Sequence, residues 1–256
     1  MQINEIYNEN CLDTMKRMPD NFLDLTVTSP PYNVDLGNNK YNKSGYDLYS
    51  DNKPHKEYLE WLRQVFAMLF SKTKKGGRCV INIGDKQNGR VTTHSDIIQI
   101  MQSIGWVSMG VIIWDKQNTG NRTSWGSFNS PSSPSFPCPF EYILCFAKED
   151  IKLQYKGDTD LTKDEFIKWS LASWNFPTEK LKKVGHPAAF PIDLPLRCIK
   201  MLSWINSIIY DPFMGSGTTA LACATNNRNY IGSEISSEYC EIIKKRLEQI
   251  PLKLDL

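Results

Sequence analysis

The sequence predicts an α/β fold: a doubly wound, mainly parallel sheet with helices on both faces and one small insertion. Three observations predict it. Short runs rich in β-branched and aromatic residues alternate with segments whose apolar residues recur at helical spacing, and that order requires crossover connections between parallel strands. Two strand candidates end in turns of unusual composition, Thr28-Ser29-Pro30-Pro31-Tyr32-Asn33 and Asp211-Pro212-Phe213-Met214-Gly215-Ser216-Gly217-Thr218-Thr219. In open α/β sheets, ligands sit outside the carboxyl ends of strands. The length of 256 residues suits one large core, alone or with an insertion, at roughly 100–200 residues per domain.

Ile3–Tyr7 is the first strand candidate, and Leu12–Met18 forms one or two helical turns closed by Pro19. Leu23–Val27 is the next strand. Two consecutive prolines forbid it to continue as an ordinary central strand, because proline has no N–H to give to the ladder. Asn33–Asn52 is polar and carries Tyr41, Tyr46 and Tyr49 without periodicity; loops of that length in compact domains are functional or mobile. Leu59, Leu62, Phe66 and Leu69 place a helix over Lys56–Ser71, with Lys74-Lys75-Gly76-Gly77 expected at its carboxyl end and a buried strand at Arg78–Ile83. A helix around Ile97, Ile98 and Met101 and strands at Trp106–Trp114 and Tyr142–Ala147 continue the alternation, interrupted by the Gly- and Pro-rich stretch Lys116–Cys138. Ile151–Val184 is lysine-rich and weakly periodic, and is expected to be an insertion outside the sheet. The α/β order returns with helix Leu194–Trp204, strand Ser207–Tyr210, helix Thr218–Thr225, strand Asn229–Ser233 and an amphipathic helix Ser237–Gln249. The chain thus divides into 1–150, an insertion at 151–184, and 185–256, the first and last being halves of one domain.

Composition leaves the partner open. A net charge of +2 shows no nucleic-acid footprint by itself, although a local basic face can hide in a balanced total. Seven cysteines without a C-x-x-C pair disfavour a zinc site or a disulfide framework and fit a reducing compartment. No apolar run approaches about 18 residues and the start lacks a signal pattern, so a cytoplasmic protein without a membrane partner or a bound metal is expected.

Glycines at a strand-to-helix turn let the backbone approach a ligand closely, and the helix amino terminus adds N–H donors and partial positive charge. The Asp211–Thr219 loop has this form. It lacks the lysine of a Walker-type phosphate loop. Glu234, at the end of the next strand about 20 residues on, stands where an acid in nucleotide-binding folds takes ribose hydroxyls.

The Ser-Pro-Pro-Tyr turn, the Phe-x-Gly-x-Gly loop and the segment His186-Pro187-Ala188-Ala189-Phe190-Pro191 together resemble the S-adenosylmethionine-dependent DNA methyltransferases that modify exocyclic amino groups. With the catalytic turn ahead of the cofactor loop, the motif order is similar to the permuted arrangement of the beta class. The resemblance runs from Ile3 to Leu247 and implies a Rossmann-like methyltransferase fold with S-adenosyl-L-methionine as cofactor. It implies that Phe213, Gly215 and Gly217 wrap the cofactor, with Asp211 and Thr218 at the ends of that loop. Glu234 would bind the ribose, Ile235 would pack on the adenine, and Pro187, Ala188 and Phe190 would close the methionine side. Where the family has a Gly-Asp pair ahead of the first helix, this sequence has Glu9-Asn10, so Asn10 is the expected partner of the adenine amino group, next to Cys11. Ser29, Pro30, Pro31 and Tyr32 are the implied catalytic residues.

The chemistry fits those residue types. An aromatic amino nitrogen is a poor nucleophile because its lone pair is delocalised. Acceptors that hold both amino hydrogens localise that pair and favour the tetrahedral nitrogen of the transition state. The Ser29 hydroxyl and the Pro30 carbonyl are two such acceptors, Pro31 is the brace, and Tyr32 offers a face for a base turned out of the duplex. Transfer is then a direct displacement without metal or cysteine. In this family serine at the first position is commoner in cytosine-N4 enzymes and aspartate in adenine-N6 enzymes; cytosine is therefore expected, with adenine the alternative.

The expected partners are double-stranded DNA, a second copy of the chain in a homodimer, and a cognate restriction endonuclease. Two other readings compete: a catalytically silent DNA-binding subunit, and methylation of RNA or a protein amide. Because the family places target recognition in the insertion, Lys180, Lys182 and Lys183 are expected at DNA phosphates. His55 and His94 are expected to be exposed, Asp85 either lines the pocket or caps the following segment, and Trp61 and Trp204 belong to the core.

Overall fold

The computed structural model describes residues 1–33, 53–117, 125–178 and 190–250. Eight strands form one sheet: β1 (Glu5–Tyr7), β2 (Leu23–Thr28), β3 (Thr73–Ile83), β4 (Trp106–Asp115), β5 (Phe140–Lys148), β6 (Ser173–Asn175), β7 (Ile208–Asp211) and β8 (Asn229–Ser233). Their spatial order is β1-β8-β7-β2-β3-β5-β4-β6. All neighbours run parallel except β3–β5 and β4–β5. The helices are α1 (Cys11–Arg17), α2 (His55–Lys72), α3 (Thr93–Ile104), α4 (Lys163–Trp169), α5 (Asp193–Leu202), α6 (Thr218–Thr225) and α7 (Ser237–Glu248).

Strand periodicity sorts the core into two faces. Cys79, Ile81 and Ile83 of β3 and Leu144 and Phe146 of β5 meet α1, α2 and α3, through Met15, Leu62, Phe66 and Ile97. Their sequence neighbours Val80, Ile143 and Cys145 point the other way, against Leu194, Cys198 and Ile199 of α5 and Ala222 and Cys223 of α6. This is the doubly wound arrangement. β2 continues through α2 to β3 on one side, while β7 continues through α6 to β8 on the other. The adjacent strands β2 and β7 therefore flank a topological switch point, where a crevice opens beyond their carboxyl ends.

Two expectations about elements need correction. Lys74–Gly77 does not close a helix: α2 stops at Lys72, where the Thr73 hydroxyl donates to the Leu69 carbonyl at 2.7 Å, and the two glycines lie inside β3. The insertion, in turn, is not wholly outside the sheet. Ser173-Trp174-Asn175 adds the edge strand β6 to β4, because Trp174 buries itself against Trp114 and Phe176 in the second core. Arg197 of α5 lies over the Phe176, Trp174 and Trp169 rings and fixes the insertion to the main body. Among the described residues no helix is long and apolar enough to cross a membrane.

Candidate active site

The Ser29–Tyr32 turn, the loop after β7 and Glu234 after β8 leave neighbouring strands at one edge of the sheet. β2 and β7 pair in parallel, so Ser29 and Asp211 leave the sheet side by side. The antiparallel β5 begins where β3 ends, with Tyr142 opposite Ile83, which brings Glu141 to the same edge.

The Ser29–Tyr32 turn is held by side chains from distant parts of the chain. The Ser29 hydroxyl lies 3.1 Å from the Asn82 carbonyl oxygen and 3.1 Å from the Tyr32 hydroxyl. Its single proton goes to one of these, and its lone pairs stay available to accept an amino hydrogen. Tyr32 donates to Glu141 Oε2 at 2.8 Å and accepts from Asn82 Nδ2 at 2.9 Å. Asn82 Nδ2 also reaches Glu141 Oε2 at 2.6 Å, and Lys116 Nζ pairs with Glu141 Oε1 at 2.9 Å. The Tyr32 ring lies against Gly84, where an added Cβ would stand 3.3 Å from it. The buried Tyr58 hydroxyl donates to the Pro31 carbonyl at 2.7 Å. Asn33 exchanges two 2.8 Å hydrogen bonds with the Lys53 backbone, which fixes residues 33 and 53 beside each other.

The second half of the site is built around two buried carboxylates. Glu234 accepts the Gly215 N–H at 2.8 Å on one oxygen and the Ser236 N–H at 2.8 Å on the other. Burial raises its pKa, and the two amides oppose that rise. A carboxylate offers about four lone-pair sites, so both oxygens can still accept a ribose hydroxyl. Ile235 beside it is 37% exposed, an apolar surface at the rim, and Phe213 packs on Trp61 with ring centroids 5.4 Å apart. An acidic ribose partner, a loop of backbone amides and an exposed aliphatic side chain make a donor set that fits an adenosine-containing cofactor.

Four residues on this side have bracing or packing contacts within the protein. Asp211 is fully buried and does not face the crevice. It accepts from the Thr28 hydroxyl at 2.7 Å, the Phe213 N–H at 3.0 Å and the Thr219 hydroxyl at 2.7 Å, so it ties the end of β2 to the loop after β7. Burial pushes its pKa up to about 6, against these three donors. The Cys11 thiol is buried in the core and pushed up to about 12 by desolvation, which leaves only its backbone at the site. Thr218 is buried too, with its hydroxyl facing Arg246. Gly217, at φ +83°, is required for packing: a Cβ there would meet Ile243 of α7 at 2.8 Å. Asn10 caps α1, its Oδ1 accepting the Leu12 N–H at 2.9 Å, and is exposed beside the site. Phe190 is partly buried in the α5 core. Pro187, Ala188, Lys180, Lys182 and Lys183, with most of the Asn33–Asn52 loop, lie outside the described residues.

Both histidines expected at the surface are half-buried and paired. His55 Nε2 meets Asp96 at 2.9 Å, and His94 Nδ1 meets Asp85 at 2.8 Å while its ring stacks on Tyr142. Asp85 also accepts the His94 N–H at 3.1 Å, so it holds the first turn of α3, the capping alternative. Trp61 and Trp204 are only partly buried. Asn82, Glu141, Lys116 and Tyr58 were not legible as site residues. Glu141 is 109 positions from Tyr32, and only the antiparallel pairing of β5 on β3 brings them together.

A family model described as DNA methylase, covering enzymes of the N6 and N4 type, matches residues 23–245. The chain belongs to this family of DNA amino-methyltransferases. The type II methyltransferase M.MjaVI of Methanocaldococcus jannaschii is 39% identical over 169 residues, 65% of this chain and 83% of that protein. The orphan methyltransferase M.BamHII of Bacillus amyloliquefaciens is 32% identical over 88% of this chain and 89% of its own. Among solved structures, the DNA modification methylase TTHA0409 of Thermus thermophilus, complexed with S-adenosyl-L-methionine, superposes with a TM-score of 0.73 at 25% identity over 95% of this chain and 92% of its own. The cytosine-N4-specific PvuII DNA methyltransferase shares the fold, with a TM-score of 0.68 at 19% identity, over 94% and 85% of the two chains. The methylase belongs to the beta class, with the Ser-Pro-Pro-Tyr turn ahead of the cofactor loop.

Proposed function

We propose that this methylase acts at the N4 amino group of a cytosine flipped out of duplex DNA, within a restriction-modification system. The observation that carries the reading is the Ser29 hydroxyl, whose proton is directed at the Asn82 carbonyl or the Tyr32 hydroxyl while its lone pairs remain to accept. Adenine N6 is the alternative, because the family holds both specificities.

When bound, S-adenosyl-L-methionine supplies an electrophilic methyl group on a sulfonium. Glu234 and the Gly215 region hold its ribose, Ile235 packs on its adenine, and Asn10 accepts from the adenine amino group. On the other side of the switch point, Ser29 and Pro30 accept the two amino hydrogens of the target base. That draws the nitrogen lone pair out of conjugation and aims it across the crevice. Tyr32, clamped by Glu141 and Asn82, presents its ring to the flipped base, which offsets the few kcal/mol that flipping costs. Pro187 and Ala188 close the methionine side, and the 151–184 insertion with Lys180, Lys182 and Lys183 contacts DNA phosphates. A cognate endonuclease and a homodimeric state complete the proposal; M.MjaVI carries a type II name, M.BamHII an orphan one. A silent subunit is disfavoured because Ser29, Tyr32, Gly215 and Glu234 are all in place.

Mass spectrometry of nucleosides from duplex DNA incubated with the protein and labelled cofactor tests this. N4-methylcytosine is expected; N6-methyladenine would replace the base assignment, and label confined to RNA or protein would overturn the DNA substrate.

A further inference from the structure

Two short hairpins stand at the same sheet edge as the catalytic turn, and the reaction chemistry uses neither. The first follows β3 directly. Lys86 and Val91 pair across a four-residue tip, Gln87-Asn88-Gly89-Arg90, in which three successive residues adopt left-handed backbone at φ +51°, +55° and +81°. Gln87, Asn88 and Arg90 are exposed, and the Arg90 guanidinium makes no ion pair with any described residue. The second hairpin precedes β5, with Gly126 bridged to Pro134. It displays Trp125 at 47% exposure, Phe128 at 73% and Phe136 at 77%, with the Trp125 and Phe128 rings 5.2 Å apart.

The two tips form one surface. Asn88 Nδ2 donates to Ser135 Oγ at 3.0 Å, and the Cys138 sulfur lies 3.5 Å from where a Cβ on Gly89 would be. Between them is a shallow, open depression lined by Gln87, Asn88, Arg90, Gly126 and Ser135. Its side chains are of a particular kind. Asparagine and glutamine pair bidentately with adenine, arginine pairs with guanine, and exposed aromatic rings stack on unstacked bases. Continuity with the active site is direct. The chain runs from Asn82 of β3 and from Gly84, which both touch Tyr32, into the first tip, and the second tip leads into Glu141, which binds the Tyr32 hydroxyl.

We propose that these hairpins are a second DNA-reading surface, one that grips the base pairs next to the flipped nucleotide, with Asn88 and Arg90 reading base edges and Trp125 and Phe128 stacking where the duplex is opened. The inference rests on the DNA-methylase reading and adds to it a source of sequence choice separate from the 151–184 insertion.

The test uses the full-length chain, duplex DNA and sequencing of the methylated sites. Asn88→Ala with Arg90→Ala is expected to raise the KM for duplex roughly tenfold or more and to relax the methylated motif at positions flanking the target. Trp125→Ala with Phe128→Ala is expected to raise that KM about tenfold without changing the motif. Cofactor affinity and melting temperature serve as controls, since all four side chains are at the surface. Arg90→Lys is a conservative check that should change the motif more than the KM. If the wild-type protein methylates a defined motif and both double variants keep its sequence and its KM, the second surface is overturned while the methylase reading stands. If the wild type leaves DNA unmodified, the reading beneath it has failed as well.

Discussion

The proposed catalytic turn and the proposed cofactor loop leave adjacent strands at the same edge, yet they are held in opposite ways. The loop is built mostly from its own neighbourhood: Glu234, 19 positions away, binds the Gly215 amide, and Gly217 fits under Ile243 of α7. The turn is braced from afar, by Tyr58, Asn82, Lys116 and Glu141. A loop held locally can adapt to a cofactor, whereas a turn clamped on several sides keeps its acceptors pre-aimed, as electrostatic preorganisation requires. Asp211 touches both regions.

That makes Asp211→Asn the substitution with the broadest effect. An asparagine has one acceptor oxygen where three donors now converge, so methyl transfer is expected to fall roughly a hundredfold and cofactor affinity about tenfold, as for lost charge-assisted bonds. The wild-type carboxyl is raised from 3.8 to about 6. Its stabilising contribution is therefore full below pH 4 and lost as pH rises through 6. Denaturant titrations should show the wild type losing on the order of 3 kcal/mol relative to the variant across that window. Glu234→Gln separates the two regions: cofactor affinity measured by calorimetry should fall by roughly ten- to a hundredfold, with the rate at saturating cofactor little changed. Glu141→Gln is its counterpart, expected to slow single turnover about tenfold by loosening Tyr32 while leaving cofactor affinity unchanged. The narrowest effect belongs to Gly217→Ala, read in stability alone and expected to cost about 1–3 kcal/mol through its positive φ and its contact with Ile243. Ile243→Ala added to it should relieve the steric part, read as a non-additive shift in Tm.

The same contrast explains what the sequence disclosed. The strand and helix order was legible because apolar periodicity is local, and the cofactor loop because its glycines and its acid lie within one β-α-β unit. Ser29 and Tyr32 were legible from the two prolines that stop β2. Their supports were not, because Glu141 reaches Tyr32 only through an antiparallel pairing that nothing near residue 141 announces. The edge strand at Trp174 was not legible for a related reason: three residues are too few to show alternation, and its burial depends on Arg197 and Trp114 from other segments. Asp211 looked like a ligand contact because it opens the loop, whereas its burial follows from the strand order.

The central claim, that the turn serves the base while the loop serves the cofactor, is tested most directly by Ser29→Ala, with cofactor dissociation constant and single-turnover methyl transfer to duplex DNA measured on the same preparation. The account predicts an unchanged dissociation constant and a rate lower by roughly 10²–10³. Transfer at the wild-type rate, or a loss of rate accompanied by an equal loss of cofactor affinity, would contradict it.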